Sequence, residues 1–415
     1  MRTEMIEAKQ TGAQVPVAAS PERPAVIARA FDALPDRSTS LALLRTIADE
    51  TCTPGPVAPR QPLALYGAGN LGRLARDHLR AVGEDFALVV DRNAEALAAS
   101  GEWAGTRLVH PDAVDMDTKM RAMLAVSIVT SPYMPLQAAL AAAGWRDIVP
   151  FYDIAESFRD RHPLSNGWFA EPFSNDDVAA IGAVLSAWDD DLSRAHHLQF
   201  IAWRRLRQEW SFDRAPVTID DRFFIPQILD VLRPNERFLD AGAHHGSVTA
   251  RFIAETAGQF ASILAIEPDE QSRTVLEQTI GGLASDQRSR ITVSDALLDS
   301  ERRTVRFHHG LGYASQISST GTDERVTLTL DALGAAPSFV KLHLEGGELG
   351  ALKGGIATLR KYRPIIAATV YHDADGIQAT PAWLMDNLDG YRFLFRLHSW
   401  CGTGAVVYAI PEERQ

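Results

Sequence analysis

The sequence predicts an α/β protein with two Rossmann-like domains. Two glycine-rich turns support this prediction, because each follows a short apolar run typical of a buried strand and precedes apolar residues at helical spacing. In both places a second apolar run ends on an acidic residue about twenty residues further on. In nucleoside-binding α/β units that position holds the ribose-binding carboxylate, so both domains are candidates for binding a nucleoside.

The composition narrows the classes of function. With 415 residues and an ordinary apolar content, the chain is long enough for two or three domains. A net charge of −12 without a basic tract argues against nucleic acid and anionic membranes as partners. No apolar stretch is long enough for membrane insertion, and the start of the chain lacks the apolar core of a secretory signal, so we expect a cytoplasmic protein. Cys52 and Cys401 are the only cysteines, which excludes a disulfide framework. The sequence leaves open whether the chain forms a homo-oligomer.

Residues 1–61 are predicted to precede the first domain. Residues 1–24 are polar and rich in proline and alanine without periodicity, which is typical of a disordered tail. Residues 25–61 are predicted as a helical lead-in interrupted at Pro35, followed by a linker that contains TPGPVAPRQP.

The first Rossmann-like domain is predicted over residues 62–152. Leu63–Tyr66 is a strand followed by the turn GAGNLG and a helix, and the next strand ends at Asp91. The segment is about half the size of a full dinucleotide fold. Two interpretations therefore stay open: the domain binds a nucleotide or nucleotide-sugar, or it keeps the turn only for packing. The candidate binding residues are Gly67, Gly69, Asn70, Gly72 and Asp91.

Residues 153–217 are predicted as a linker and a long helical connector. A group of acidic residues and histidines in this connector could suggest a metal cluster. Neighbouring residues on a helix point in different directions, so we predict a helix start or a solvated face and assign no metal there. These residues are Asp189, Asp190, Asp191, His196 and His197.

The second domain is predicted over residues 218–411. Its glycine turn has the spacing Asp-x-Gly-x-x-x-Gly, which differs from the Gly-x-Gly-x-x-Gly that cradles a pyrophosphate. This spacing suits a cofactor without phosphates, and S-adenosylmethionine is the common one. Asp295 follows the third strand, where its side chain either accepts a hydrogen bond from the adenine or is a solvent-facing loop acid. The candidate cofactor-binding residues are Asp240, Gly242, Ala243, His244, Gly246, Glu267, Pro268, Asp295 and Ala296.

A strand predicted over residues 339–344 bears charged and titratable groups. Lys341, His343 and Glu345 alternate along it, so their side chains share one face near the carboxyl end of the strand. Charged groups on a central strand are unfavourable unless they pair or bind something. With His372, which follows the next strand, these residues are the candidate catalytic group. A metal held by His343, Glu345, Glu348 and His372 is chemically conceivable, but their spacing does not require one, and we predict none.

Several segments of this domain together resemble a known family. LDAGAHHG, AIEPD, TLDAL, KLHLEGGELGALKGG, RPII and VYH resemble the FkbM family of S-adenosylmethionine-dependent methyltransferases, over about residues 220–411. The resemblance implies a class I methyltransferase sheet and, as acceptor, a hydroxyl of a carbohydrate or related metabolite. The two final predicted strands, 391–397 and 405–410, fit such a sheet as an antiparallel edge hairpin. The N-terminal YGAGNLG domain resembles a sugar-nucleotide or NAD-type module.

The family usually has aspartate where this chain has His343. A neutral imidazole is a competent general base near neutral pH, so His343 either replaces that aspartate or marks lost activity. We predict O-methyl transfer in which His343 or His372 takes the hydroxyl proton and Lys341 orients Glu345 or the acceptor, a saccharide or other small molecule. Two alternatives remain: an inactive methyltransferase-like protein that binds a nucleotide-sugar, and a nicotinamide-dependent enzyme.

Overall fold

The computed structural model describes residues 26–311 and 314–414, and the chain divides into two compact units. The first unit contains the described residues up to Val178, together with Arg194–Val217 and Ser399–Thr403. The second contains Ala179–Ser193, Thr218–His398 and the residues from Gly404 onward. The tail predicted over residues 1–24 lies outside the described residues.

The first unit is built around a five-stranded parallel sheet with the order β4-β3-β2-β5-β6. Helices alternate with these strands, so the predicted Rossmann-like alternation is present. Its strands are β1 (Ile27–Phe31), β2 (Leu63–Tyr66), β3 (Leu88–Val90), β4 (Leu108–Val109), β5 (Met123–Val126), β6 (Asp147–Pro150) and β7 (Gln208–Phe212). Its helices are α1 (Arg37–Asp49), α2 (Asn70–Val82), α3 (Ala94–Ala99), α4 (Met116–Arg121), α5 (Tyr133–Ala142) and α6 (Phe151–Glu156).

Strands β1 and β7 pair in parallel as a separate two-stranded sheet, with Ile27 opposite Gln208 and Phe31 opposite Phe212. The predicted helical lead-in is therefore wrong at residues 27–31, and the predicted helical connector is wrong at its last residues. Burial alternates along β1 with period two, as on a half-buried strand. The physical reason is tertiary: each segment finds its hydrogen-bonding partner far away along the chain.

Two helices, α7 (Asn175–Ala187) and α8 (Asp191–Leu206), form the rest of the predicted connector. Asp190 Oδ1 accepts a hydrogen bond from the backbone N–H of Ser193 at 2.7 Å, so Asp190 caps the start of α8, as predicted. Its carboxylate also pairs with Arg396 at 2.6 Å, and Asp189 pairs with Arg392 at 2.8 Å. The aspartates therefore act as a helix start and as ion-pair partners.

The second unit contains a seven-stranded sheet with the order β10-β9-β8-β15-β16-β18-β17. Its first five strands are parallel, and β18 runs antiparallel to both β16 and β17, which is the predicted methyltransferase sheet with an antiparallel edge hairpin. Its strands are β8 (Glu236–Ala241), β9 (Phe260–Ile266), β10 (Ile291–Ser294), β11 (Leu297–Leu298), β12 (Thr304–His308), β13 (Gln316–Ile317), β14 (Asp323–Leu328), β15 (Phe339–Leu342), β16 (Ile365–Thr369), β17 (Tyr391–Leu397) and β18 (Ala405–Pro411). Its helices are α9 (Pro226–Leu229), α10 (Ser247–Glu255), α11 (Glu270–Gly281), α12 (Ser285–Arg288), α13 (Glu348–Lys353), α14 (Ile356–Tyr362) and α15 (Ala379–Asn387).

A smaller four-stranded sheet, β11-β14-β12-β13, accompanies the large one. After Gly347 the chain forms two short helices, α13 and α14, which a Gly354–Gly355 step separates. A Cβ on Gly354 would lie 2.3 Å from the carbonyl oxygen of Asp299, so the backbone passes too close to its neighbour for a side chain.

Aromatic packing fixes the central strands of the second unit. The ring of Phe238 on β8 stacks on Phe252 of α10 at a centroid distance of 4.4 Å and contacts Phe339 of β15 at 5.0 Å. All three side chains are buried, and each contributes about 1.5–3 kcal/mol of hydrophobic stabilisation. β8 and β15 are thereby held side by side, with their carboxyl ends at one edge.

No helix in the described part of the chain is long and apolar enough to cross a bilayer.

Candidate active site

The turn after β8 lies directly against the end of β15. Gly242 has φ of 74°, and a Cβ at this position would lie 1.9 Å from the carbonyl oxygen of His343. Only glycine fits this left-handed conformation at such close approach. Gly246, at φ of 86°, then starts α10, and its N–H donates to the carbonyl oxygen of Ala243 at 2.8 Å. The predicted glycine turn therefore brings the ends of two neighbouring strands together.

A buried ion pair between Lys341 and Asp240 contacts the backbone of this turn. Lys341 Nζ lies 2.9 Å from Asp240 Oδ1 and donates to the carbonyl oxygens of Gly242 at 2.7 Å and Ala241 at 3.2 Å. Thr249 Oγ1 donates to the other oxygen of Asp240 at 2.7 Å. The structure thus directs Lys341 toward Asp240 and the turn, whereas the sequence predicted that it orients Glu345 or the acceptor.

Glu267 follows β9 and faces the same turn. Its Oε2 accepts from the backbone N–H of His244 at 2.7 Å, and its Oε1 accepts from that of Asp269 at 2.9 Å. Burial raises the pKa of Glu267, while these two backbone hydrogen bonds oppose the shift. Each carboxylate oxygen retains acceptor capacity for one further donor. This pair of acceptor oxygens fits the two ribose hydroxyls of a nucleoside cofactor, which would donate to it.

The remaining candidate cofactor residues border this region. Asp295 is exposed, and its carbonyl oxygen accepts from Arg325 at 2.9 Å, whereas Ala296 is buried. The carbonyl oxygen of Pro268 accepts from Arg325 at 3.2 Å. Ser315 donates to Asp269 at 3.1 Å, so the segment between β12 and β14 reaches the residues that follow Glu267.

A compact group lies at the carboxyl ends of β15 and β16, and we call it the His–Glu–His cluster: His343, Glu345 and His372. His343 Nε2 lies 3.1 Å from Glu345 Oε1, and His372 Nε2 lies 3.3 Å from the same oxygen. The two imidazole rings are nearly parallel, with centroids 5.1 Å apart. The cluster brings together three of the four predicted catalytic residues. Lys341 is the fourth, and it contacts Asp240 and the glycine turn instead.

Glu348 organises the loop that carries this cluster. Its Oε1 accepts from His372 Nδ1 at 2.9 Å, from Thr369 Oγ1 at 2.5 Å and from the backbone N–H of Leu344 at 2.8 Å. Its Oε2 accepts from the backbone N–H of Gly346 at 2.9 Å. One buried carboxylate therefore fixes both the loop backbone and the orientation of the His372 ring.

The charges of the cluster are set by burial and by mutual contact. Burial lowers the pKa of His343 to about 3, so His343 is neutral at neutral pH. For His372, burial opposes the charged form, but the carboxylates of Glu345 and Glu348 raise its pKa well above the ordinary value. Burial would raise the pKa of Glu345, yet the two imidazoles hold it well below the usual range.

Comparison with known proteins identifies this part of the chain. Residues 240–396 match the family model of the methyltransferase FkbM domain. This segment is therefore similar to FkbM methyltransferase domains. The resemblance predicted from the sequence is thereby confirmed, and so is the prediction of a methyltransferase at the level of the family.

One solved structure shares the fold over most of the chain. The methyltransferase FkbM from Methylobacillus flagellatus KT is 16% identical, with a TM-score of 0.58 over 90% of this chain and 98% of that chain. Two others are more distant. The precorrin-6y C5,15-methyltransferase from Geobacter metallireducens GS-15 has a TM-score of 0.28 at 15% identity, covering 47% of this chain and 93% of its own. The methyltransferase domain of bacterial CtHen1-CN has a TM-score of 0.26 at 13% identity, covering 42% of this chain and 90% of its own. No curated protein matches the sequence.

The first unit has a glycine turn built like that of the FkbM domain. Asp91 Oδ2 accepts from the backbone N–H of Ala68 at 2.8 Å, just as Glu267 accepts from the turn after β8. A Cβ on Gly72 would lie 2.1 Å from the carbonyl oxygen of Gly67, whereas one on Gly69 would meet no atom within 4 Å. The side chain of Asn70 is exposed and accepts from Arg73. Gly67 and Gly72 therefore serve the turn itself, and the exposed side of the turn is at Gly69 and Asn70.

Sequence analysis missed two residues that contact the His–Glu–His cluster, Glu348 and Tyr371, and a third, Thr369, that donates to Glu348. Glu348 was considered only as a conceivable metal ligand, although its spacing of three from Glu345 at a helix start was a signal for a shared site. Tyr371, whose hydroxyl lies 3.1 Å from His343 Nε2, and Thr369 gave no signal. Their roles depend on which strands are neighbours.

Proposed function

We propose that the second unit binds S-adenosylmethionine and transfers its methyl group to a hydroxyl of a carbohydrate or nucleotide-linked sugar. The observation that supports this most strongly is an adjacency. The glycine turn with its ribose-type acid, Glu267, lies beside the His–Glu–His cluster at the carboxyl ends of neighbouring parallel strands. In open α/β sheets, that edge is where ligands bind.

Each group would have a defined task. Glu267 accepts hydrogen bonds from the ribose hydroxyls, and the turn from Ala241 to Gly246 lies along the amino-acid end of the cofactor. S-adenosylmethionine, when bound, supplies a methyl group on a positively charged sulfur that is open to in-line displacement. The His–Glu–His cluster assists removal of the hydroxyl proton. Positioning of the reactants supplies most of the acceleration, and help with the proton contributes about 10²- to 10⁴-fold.

The nature of the acceptor rests on the first unit. Its exposed turn at Gly69 has room for a ligand near the backbone N–H groups that start α2. A nucleotide or nucleotide-sugar bound there would make the acceptor a nucleotide-linked sugar. Thermal unfolding with a panel of nucleotide-sugars tests this: a shift in the melting temperature with one of them supports the assignment, and no shift with any of them removes it.

A second candidate function is that of an inactive methyltransferase-like binding protein. His343 favours it, because the family usually has aspartate at this position and because burial leaves this imidazole only weakly basic. This candidate predicts cofactor binding without a methylated product on any acceptor. Product formation from S-adenosylmethionine and one hydroxyl acceptor excludes it.

The decisive experiment is calorimetric titration of the full chain with S-adenosylmethionine and, in parallel, with NAD. Glu267→Ala should abolish S-adenosylmethionine binding, whereas Glu277→Ala, an exposed position on α11, should leave binding unchanged. Thermal unfolding of both variants verifies that they fold. If the wild-type protein does not bind S-adenosylmethionine, the proposed function is wrong.

A further inference from the structure

We propose that the His–Glu–His cluster binds one divalent transition-metal ion, and that this ion holds the acceptor hydroxyl during methyl transfer. The first part rests on the cluster alone. The second part rests on the function proposed above, and the experiment below separates the two.

The spacing of the three side chains matches a metal site. Ligands bound at about 2.1 Å around one ion lie about 3.0 Å apart in octahedral and about 3.4 Å apart in tetrahedral geometry. The two distances to Glu345 Oε1, 3.1 Å from His343 Nε2 and 3.3 Å from His372 Nε2, fall in this interval. All three ligand atoms lie within 4.8 Å of one another, so small ring movements bring them around one ion.

The orientation of His372 is that of a metal ligand. Its Nδ1 is hydrogen-bonded to Glu348 at 2.9 Å, which directs the other nitrogen toward the centre of the cluster, where a metal ion would take the place of a proton. That nitrogen, Nε2, is buried and has no partner with hydrogen-bond geometry in the part of the chain that the structure describes. A carboxylate behind an imidazole is the arrangement that fixes histidine ligands and raises their basicity in metal sites. Glu348 is itself held by two backbone N–H groups and Thr369, so it is rigid.

The backbone of Glu345, the central residue of the cluster, is strained. Glu345 has φ of 52°, in the left-handed region that non-glycine residues seldom occupy. Strain of this kind costs about 1–3 kcal/mol and persists at sites where the surrounding structure requires it. Here the strained residue places its carboxylate between two imidazoles.

The donor set defines the class of ion. Two imidazole nitrogens and one carboxylate oxygen suit Zn²⁺, Mn²⁺, Fe²⁺ or Co²⁺, whereas Mg²⁺ and Ca²⁺ favour oxygen ligands throughout. Three protein ligands leave a position open, as in catalytic zinc sites.

A hydroxyl bound at the open position would have its pKa lowered by the ion. Its proton then passes to water. The new oxygen–carbon bond forms as the carbon–sulfur bond breaks, and the sulfur keeps the electron pair.

The test uses the full chain without an affinity tag, after treatment with a chelator. Calorimetric titration with Zn²⁺ and with Co²⁺, the latter also followed by visible absorption, should give one equivalent bound. His343→Gln should weaken binding more than about 100-fold, and Glu348→Gln, which removes only the partner behind His372, about 10- to 100-fold. His110→Gln, at an exposed site in the first unit, is the matched control. Absence of binding to the wild type, or equal binding to the wild type and His343→Gln, overturns the metal site.

Two further measurements complete the test. The side chain of His343 is 21% exposed and tolerates glutamine, and thermal unfolding verifies that each variant folds. Titration of the same samples with S-adenosylmethionine separates the proposals: binding of the cofactor without binding of metal overturns the metal site alone. Metal binding without cofactor binding leaves the site in place and overturns both its role in methyl transfer and the proposed function.

Discussion

Replacing Lys341 with methionine should destabilise the second unit by about 3–5 kcal/mol, the usual consequence of removing one partner of a buried ion pair. The side chains of Lys341 and Asp240 are 1% and 0% exposed, and Nζ makes contacts of 2.9, 2.7 and 3.2 Å to Asp240, Gly242 and Ala241. Methionine fills a similar volume, so little of the loss comes from packing. The loss comes from the negative charge of Asp240, which stays buried without its cation.

Denaturant unfolding of four proteins measures this: wild type, Lys341→Met, Asp240→Asn and the double variant. The double variant should be more stable than Lys341→Met alone, because asparagine leaves no charge behind and can still accept from Thr249. A coupling energy of about 0.5–3 kcal/mol is expected between the two sites. A loss below about 1 kcal/mol in Lys341→Met, combined with lost methyl transfer, would refute this reasoning and restore the catalytic role predicted from the sequence.

Other parts of the structure give three further predictions. Burial lowers the pKa of His78 to about 4, against 6.5 in the unfolded chain. Between these two pH values the unfolded state binds more protons than the folded state, so the protein loses stability as the pH falls. The free energy of unfolding of the first unit should therefore decrease by about 2 kcal/mol from pH 7 to pH 5, and His78→Gln should remove this change. Gly242→Ala should cost at least about 1–3 kcal/mol and abolish cofactor binding in calorimetry, because its Cβ would lie 1.9 Å from the carbonyl oxygen of His343 at a positive φ. Thr369→Val should cost about 1.5–3 kcal/mol in denaturant unfolding, because it removes a 2.5 Å hydrogen bond to the carboxylate of Glu348.

Matched controls exist for two of these changes. Gly281→Ala, at the end of α11, places a Cβ with no atom within 4 Å, so it should not destabilise the protein and should leave cofactor binding unchanged. His110→Gln changes an exposed histidine and should retain the wild-type pH dependence. Equal effects in control and test variants would contradict the structural explanations.

The sequence was informative where the signal was local. A glycine turn and the acid about twenty residues later each follow from spacing within one segment. The strand predicted over residues 339–344 was wrong at its end: β15 stops at Leu342, and Glu345 has φ of 52°, so His343 and Glu345 meet in the loop and not by alternation along a strand. Residue spacing did not predict the structure where contacts between distant parts of the chain determine it. Residues 27–31 are a strand only because β7 lies beside them, and the helix after Gly347 is interrupted because Gly354 packs against Asp299.

The candidate site shows the same division. That His343, Glu345 and His372 meet follows from the rule that the carboxyl ends of parallel strands share one edge. The direction taken by Lys341 does not follow from that rule, since it depends on the distance to Asp240 across two strands. The anchoring role of Glu348 required the positions of three other chain segments.

The acids that follow β3 and β9, Asp91 and Glu267, have a consequence for how this chain can change in evolution. Asp91 and Glu267 each accept the backbone N–H of a glycine turn, from Ala68 and His244 respectively, so each supports its own turn before any ligand arrives. A lineage that lost the ligand would still be selected to keep the acid, because the carboxylate is the hydrogen-bond acceptor for a backbone N–H of the turn. If descendants keep these two acids, this shows only that the turn still uses them. Whether a descendant still binds the ligand is better judged from exposed neighbouring residues that the turn does not need.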